Sequence, residues 1–308
     1  MYGGKEEGGG SLQEGKDICR MKKFLKIGSQ PINIAYPLPL TSFFAFSFSN
    51  SGIFEFVISY FFCFFFFTAT NLWNHINDAE DDARDGKEDS VFLLENRREA
   101  TFLVLLFYVV SALILPLTKD TLAVLMFFIC LVLTWIYSDK ILIGKKIRRL
   151  KEDYRTEILT YLIVTPSFAL LIWTFFSPID IRGFSFALIV SSLYISGVLL
   201  KDIKDYSADS LAGYKTLAVV ISPLKLFILS FSVFFIAIFL VLILSVLGLI
   251  PRALVLTSTI LIPLTYSILS IRKAKWEISL KTIKNIRLYT LCYPTTILLM
   301  GILSLFKV

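Results

Sequence analysis

Nine apolar stretches run along the chain, separated by short polar links, at 33–50, 53–73, 101–118, 121–138, 157–176, 183–200, 226–249, 253–270 and 288–306. Each approaches the roughly 20 residues that a helix needs to cross a bilayer. None alternates apolar and polar positions as a transmembrane strand does. Backbone groups in lipid must bond within their own segment, so the pattern predicts nine helices in an all-α, polytopic membrane bundle. Pro37, Pro39, Pro166, Pro263 and Pro294 lie in these stretches and predict local kinks. The pattern changes abruptly in one place. The apolar run FFCFFFFTATNLW (61–73) leads straight into NHINDAEDDARD (74–85). Carboxylates at a membrane boundary cost free energy unless something pairs with them.

Composition strengthens the membrane assignment. Hydrophobic residues make up 56% of the 308, and the mean hydropathy is +0.73. Both exceed what a soluble domain carries. The net charge is +7, and its placement is informative. With nine spans, the N-terminus and every second loop share one side. That side holds Lys16, Arg20, Lys22, Lys23 and Lys26, then Arg84, Lys87, Arg97 and Arg98. It also holds the run from Lys140 to Lys151, Lys201, Lys204 and Lys215, and the run from Arg272 to Arg287. The other side has little beyond Lys119, Arg182 and Arg252. The bias makes the first side cytoplasmic. The expectation is a multi-pass protein of the cell membrane, with its N-terminus and acidic loops in the cytoplasm. Topology accounts for the basic balance, so no nucleic-acid partner is expected.

The cysteines Cys19, Cys63, Cys130 and Cys292 stand singly and form no metal or disulfide framework. His75 is the single histidine, which argues against a histidine-based metal site or a Ser-His-Asp triad. Residues 1–21 are Gly-rich and polar and are expected to form a mobile tail, with 22–308 as one membrane-embedded domain. Met21 opens a more typical start, MKKFLKIG, and no signal-peptide pattern precedes it.

The acidic residues cluster. Asp78, Asp81 and Asp85 stand at i, i+3 and i+7, and Asp202, Asp205 and Asp209 repeat that spacing. On a helix each set falls within an arc of about 60°, with Asn74 and Asp82 on the flank of the first. Both sets close an apolar span on the cytoplasmic side. Like charges stacked in this way repel. Divalent cations relieve that repulsion. Mg²⁺ takes oxygen ligands, binds one or two carboxylates and completes its shell with phosphate oxygens. Two facing strips suit two or three Mg²⁺ ions and a diphosphate, with nearby lysines and arginines taking up the remaining charge.

With these two motifs in a nine-helix frame, the chain resembles the UbiA superfamily of intramembrane prenyltransferases over about residues 22–307. The first motif fits in two registers, Asn77-Asp78-x-x-Asp81-x-x-x-Asp85 or Asn74-x-x-x-Asp78-x-x-x-Asp82. The second is Asp202-x-x-Asp205-x-x-x-Asp209, followed by AGYKTLAVVI (212–221). The resemblance implies helices around a central cavity capped by cytoplasmic loops. It also implies Mg²⁺-dependent transfer of a prenyl group from a polyprenyl diphosphate, such as geranyl or geranylgeranyl, to a lipophilic acceptor, with release of diphosphate. Asn74, Asp78, Asp81, Asp82, Asp85, Asp202, Asp205 and Asp209 are the expected metal ligands. Asp78, Asp81 and Asp205 are the expected catalytic core.

The family's Tyr-Lys pair maps onto Tyr137 and Lys140, one residue closer than its usual spacing, with Lys145, Lys146 and Lys151 as rivals. Arg97 and Arg98 stand where the family has an Arg-Pro pair, without a proline. Asn33 matches a Pro-x-Asn element, while Gln30 replaces the arginine that precedes it. The expected substrate contacts are therefore Asn33, Asn77, Arg97, Tyr137, Lys140, Lys146, Lys201 and Lys215. The acceptor reading is a quinone-precursor-like aromatic, with a glycerol-phosphate ether lipid as the alternative. A divalent-cation or phospholipid transporter is the alternative from another class, but both acidic strips gather at one end of the bundle.

Overall fold

The computed structural model describes residues 9–29, 38–84, 86–144, 148–200, 203, 210, 213, 215–276 and 280–306. Among them the elements are helices: α1 (Gly9–Gly28), α2 (Leu38–Ser49), α3 (Ile53–Arg84), α4 (Glu88–Glu95), α5 (Arg97–Ile114) and α6 (Leu122–Ser138). After them come α7 (Tyr154–Thr174), α8 (Ile181–Val198), α9 (Leu217–Ile221), α10 (Pro223–Val246), α11 (Leu261–Lys273) and α12 (Leu280–Ser304). A 3₁₀ segment, Arg252–Ile260, leads into α11.

The nine apolar stretches correspond to α2, α3, α5, α6, α7, α8, α10, the 3₁₀ segment with α11, and α12. Six of these helical segments are long and apolar enough to cross a membrane, and α6 and the apolar part of α12 are shorter. Helix α1 begins at Gly9, so helical backbone enters the stretch expected to be a tail. Pro39 stands in the first turn of α2 and Pro263 in that of α11, where a missing N–H is tolerated. Pro166 and Pro294 lie inside α7 and α12.

Consecutive spans pack together along most of the chain, α2 on α3, α3 on α5, α6 on α7, α7 on α8, α8 on α10 and α11 on α12, and α12 returns to pack on α2, which closes the bundle. The Phe-rich run divides between two environments. Phe62 and Phe66 are fully buried and meet Phe127, while Phe66 also meets Phe168 and Phe62 meets Phe175. Phe61 points outward. Outward-facing Phe102, Leu113, Ile236, Val246 and Ile262 cover the bundle with the apolar surface that lipid requires.

Polar groups inside the bundle bond across helices. Ser230 Oγ donates to the Ser196 carbonyl at 2.6 Å and lies 2.8 Å from the Tyr289 hydroxyl, joining α8, α10 and α12. Such bonds are modest in a membrane, averaging about 0.6 kcal/mol. Ser230→Ala removes two of them and is expected to destabilise the bundle by about 1–2 kcal/mol, read as a lower unfolding midpoint in detergent.

Candidate active site

Helix α3 continues past its apolar section and carries Asn74, Asn77, Asp78, Asp81 and Asp82 beyond Trp73. Its end is set locally. Gly86 has φ +80, which a side chain would oppose. The Gly86 N–H donates to the Ala83 carbonyl and the Lys87 N–H to the Asp82 carbonyl, a Schellman closure. The turn sends Lys87 back, and its Nζ lies 2.5 Å from the Asp82 carboxylate.

Asp78 is the centre of the strip. Lys151 Nζ lies 2.6 and 2.9 Å from its two oxygens, and Arg149 Nη1 donates to Oδ1 at 2.7 Å. The same Lys151 ammonium donates to Asn74 Oδ1 at 3.0 Å, and Ser138 Oγ donates to that oxygen at 2.8 Å. One cation is thus shared by Asn74 and Asp78. Asn77 is used differently. It is buried, its Nδ2 donates to the Trp73 carbonyl at 2.7 Å, and its Oδ1 accepts the Lys140 N–H at 2.7 Å. Of the two registers, the one beginning at Asn74 presents its amide oxygen beside Asp78. Asp81 is half-exposed and pairs with Lys140 Nζ at 2.8 Å.

The basic partners come from the segment between α6 and α7. The Arg149 side chain is 4% exposed, and its Nε bonds Glu152 Oε1 at 2.5 Å. Burial disfavours its charge, but the Glu152 hydrogen bond and the Asp78 charge outweigh that and raise its pKa above the usual arginine value. Glu152 also takes an ion pair from Arg148 at 3.3 Å. A backbone tie draws in a distant segment: the Tyr154 N–H donates to the Lys215 carbonyl at 2.9 Å, and the Lys215 N–H to the Glu152 carbonyl at 3.4 Å. Lys215, six positions after Asp209, is therefore held beside the turn that delivers Lys151 to Asp78.

The other expected contacts are placed as follows. The Tyr137 hydroxyl donates to Glu157 Oε1 at 3.0 Å and lies 2.6 Å from the Tyr161 hydroxyl, so it faces α7. Arg97 Nη1 donates to Glu80 at 3.2 Å, on the side of α3 away from Asp78, while its buried Nε has no protein partner among the described residues. Asn33, Asp85, Lys146, Lys201, Asp202, Asp205 and Asp209 lie outside the described residues. Among the described residues no three His, Cys, Asp or Glu side chains converge as a complete metal site. Asn74 and Asp78 nevertheless present hard oxygen donors that already share an ammonium ion, which suits a small divalent cation. The sequence expectations omitted Arg149, whose link to Asp78 spans 71 positions.

The UbiA prenyltransferase family pattern matches residues 38–285. The chain belongs to the UbiA prenyltransferase family. It is 47% identical over 273 residues to an uncharacterized protein of Archaeoglobus fulgidus, covering 88% of this chain and 94% of the relative. Among solved structures it resembles a digeranylgeranylglyceryl phosphate synthase at TM-score 0.60 and 14% identity, over 91% of this chain and 99% of that one. It also resembles a UbiA homolog from Archaeoglobus fulgidus, solved with DMAPP and Mg²⁺, at TM-score 0.59 and 16% identity. A UbiA homolog from Archaeoglobus fulgidus solved with GPP and Mg²⁺ gives 0.58 and 17%. Each of these two covers 90% of this chain and 99% of the other. At these identities the structural matches establish the UbiA fold.

Proposed function

We propose that this UbiA-family protein transfers a prenyl group from a polyprenyl diphosphate to a lipophilic acceptor within the membrane, with Mg²⁺ and with release of diphosphate. The observation that carries the reading is the Asn74–Asp78 oxygen pair, which shares one cation and is flanked by Arg149, Lys151 and Lys140. That arrangement stands at the polar end of an apolar helix.

In this reading Asn74, Asp78 and Asp82 provide the first set of oxygen ligands. Asp202, Asp205 and Asp209 provide the second, for two or three Mg²⁺ in all. When bound, Mg²⁺ would be held by these oxygens and would supply positive charge that stabilises the leaving diphosphate. Lys151, Arg149 and Lys140 turn from the carboxylates to the diphosphate oxygens and orient them. The bond from the allylic carbon to the diphosphate oxygen breaks, and the electron pair leaves with the diphosphate. The acceptor forms the new bond and gives up a proton. Trp73, at the end of the apolar section of α3 just before the acidic strip, stacks on Trp135 of α6 with ring centroids 4.0 Å apart. The positive-inside bias of the loops supports the cytoplasmic face for this chemistry.

Two acceptor chemistries fit, a quinone-precursor-like aromatic and a glycerol-phosphate ether lipid. Gln30, where an arginine would recognise a carboxylate, favours an acceptor other than an aromatic acid. The resemblance to a digeranylgeranylglyceryl phosphate synthase supports the ether-lipid alternative.

The test is binding of a non-hydrolysable geranylgeranyl diphosphate analogue to purified protein in detergent, with Mg²⁺ or with EDTA, followed by transfer assays on both acceptor classes. Removing the metal is expected to weaken binding by about tenfold or more, since second-shell changes alone alter metal sites by 10–100-fold. Affinity indifferent to metal would sink the two-strip site.

A further inference from the structure

We infer that Asp139 is a positioning residue whose carboxylate folds the turn after α6 so that Lys140, among the basic residues of that segment, is held over the acidic strip to bind the diphosphate. The inference deepens the function proposed above and rests on it. Asp139 is 1% exposed. Its Oδ1 accepts the N–H groups of Ile141 and Leu142 at 3.0 and 2.9 Å, and its Oδ2 accepts that of Ile143 at 2.6 Å. One carboxylate therefore gathers three consecutive backbone donors, which would otherwise need water or a longer loop.

The knot is closed on both sides. A Cβ at Gly144 would lie 2.0 Å from the Asp139 carbonyl oxygen and 2.7 Å from Lys140 Cα, so the chain returns onto itself in a space that only glycine leaves open. The remaining N–H, that of Lys140, is latched to buried Asn77 on α3 at 2.7 Å. Asn77 is anchored in turn on the Trp73 carbonyl. The backbone of residue 140 is thus tied to the helix that carries Asp78, and the Lys140 side chain reaches Asp81 at 2.8 Å.

This geometry explains how a lysine one residue closer than the family spacing still meets the strip. A tight turn replaces a longer reach. It also explains why a carboxylate next to a diphosphate site does not oppose the ligand. Three N–H dipoles point at its oxygens, which are turned into the loop. A flexible lysine loses side-chain freedom on binding, whereas one launched from a fixed backbone loses less.

The experiment is a double-mutant cycle on full-length protein. It reads the affinity for the geranylgeranyl diphosphate analogue with Mg²⁺ and, separately, KM for the acceptor. Lys140→Ala is expected to weaken analogue binding by about tenfold or more, the effect of one lost charged hydrogen bond. Asp139→Ala is expected to give a similar loss with acceptor KM unchanged, and to add little in the Lys140→Ala background. Asp139→Asn keeps an acceptor for some of the three donors and is expected to fall between. An Asp139→Ala affinity within about twofold of wild type would overturn the inference. So would an equal further loss in the Lys140→Ala background, because Asp139 would then act elsewhere. If Asp139→Ala does not fold, Asp139→Asn is judged alone and with Lys140→Ala by the same two criteria. Failure of the proposed function looks different, because wild type itself would then not bind the analogue with Mg²⁺.

Discussion

Asp78→Asn is expected to leave a folded protein that transfers prenyl groups about 10²–10³-fold more slowly, the scale of removing one preorganised electrostatic group from a reacting centre. The substitution keeps size and one carbonyl oxygen but removes the charge. In wild type that charge faces Lys151 on both oxygens and Arg149 on one. The variant leaves these two cations with Glu152 and Asn74 as their main neighbours, and it offers a metal one oxygen without charge. Asp81→Asn is the internal comparison. Asp81 is half-exposed and meets Lys140 and, more distantly, Arg84. Its loss is expected to be smaller, about tenfold, because exposed pairs are weak and solvent screens them. Turnover of a radiolabelled geranylgeranyl donor, normalised to folded protein, separates the two. Rates for Asp78→Asn within about threefold of wild type would remove the strip from the chemistry.

Arg149→Ala is expected to reduce both stability and turnover. The guanidinium is almost wholly buried and bridges Asp78 on α3 to Glu152 in the turn before α7. Removing one partner of a buried pair costs about 3–5 kcal/mol, because the other charge stays buried. The lower end of that range applies here, since Lys151 still covers Asp78 and Arg148 still reaches Glu152. Arg149→Lys retains the charge but lacks the planar fork that meets two carboxylates at once, so it is expected to recover part of the loss. Thermal unfolding in detergent and analogue affinity with Mg²⁺ are the two readouts. An unchanged midpoint in Arg149→Ala would mean that Asp78 and Glu152 do not need the bridge.

The acidic strip and its basic partners differ in how far each was legible. Asp78, Asn74 and Asp82 lie within a few turns of one helix, so their shared face follows from helical periodicity alone. Arg149 gave no such signal. It sits among Lys145, Lys146, Arg148 and Lys151, all equally consistent with a positive-inside loop. Tyr137 is singled out by a motif-like spacing, and the fold adds what spacing cannot, its hydrogen bonds to Glu157 and Tyr161 on α7. The Gly-rich start carries a further contrast between local composition and backbone. Glycine disfavours helix, yet α1 extends from Gly9 into a section that packs on α3.

The sequence by itself determined the all-α class, the positions of the apolar helices and the kinship with the UbiA family. Run length, periodicity and charge bias are local quantities, and lipid allows few ways to satisfy a backbone. Only the tertiary structure shows that the two asparagines differ, with Asn77 used as a latch and Asn74 set beside Asp78. It also decided which cations serve the strip. Those choices depend on contacts between residues 59 to 77 positions apart, such as Lys140 with Asp81 and Lys151 with Asn74. No local pattern encodes which of several lysines a folded turn will aim.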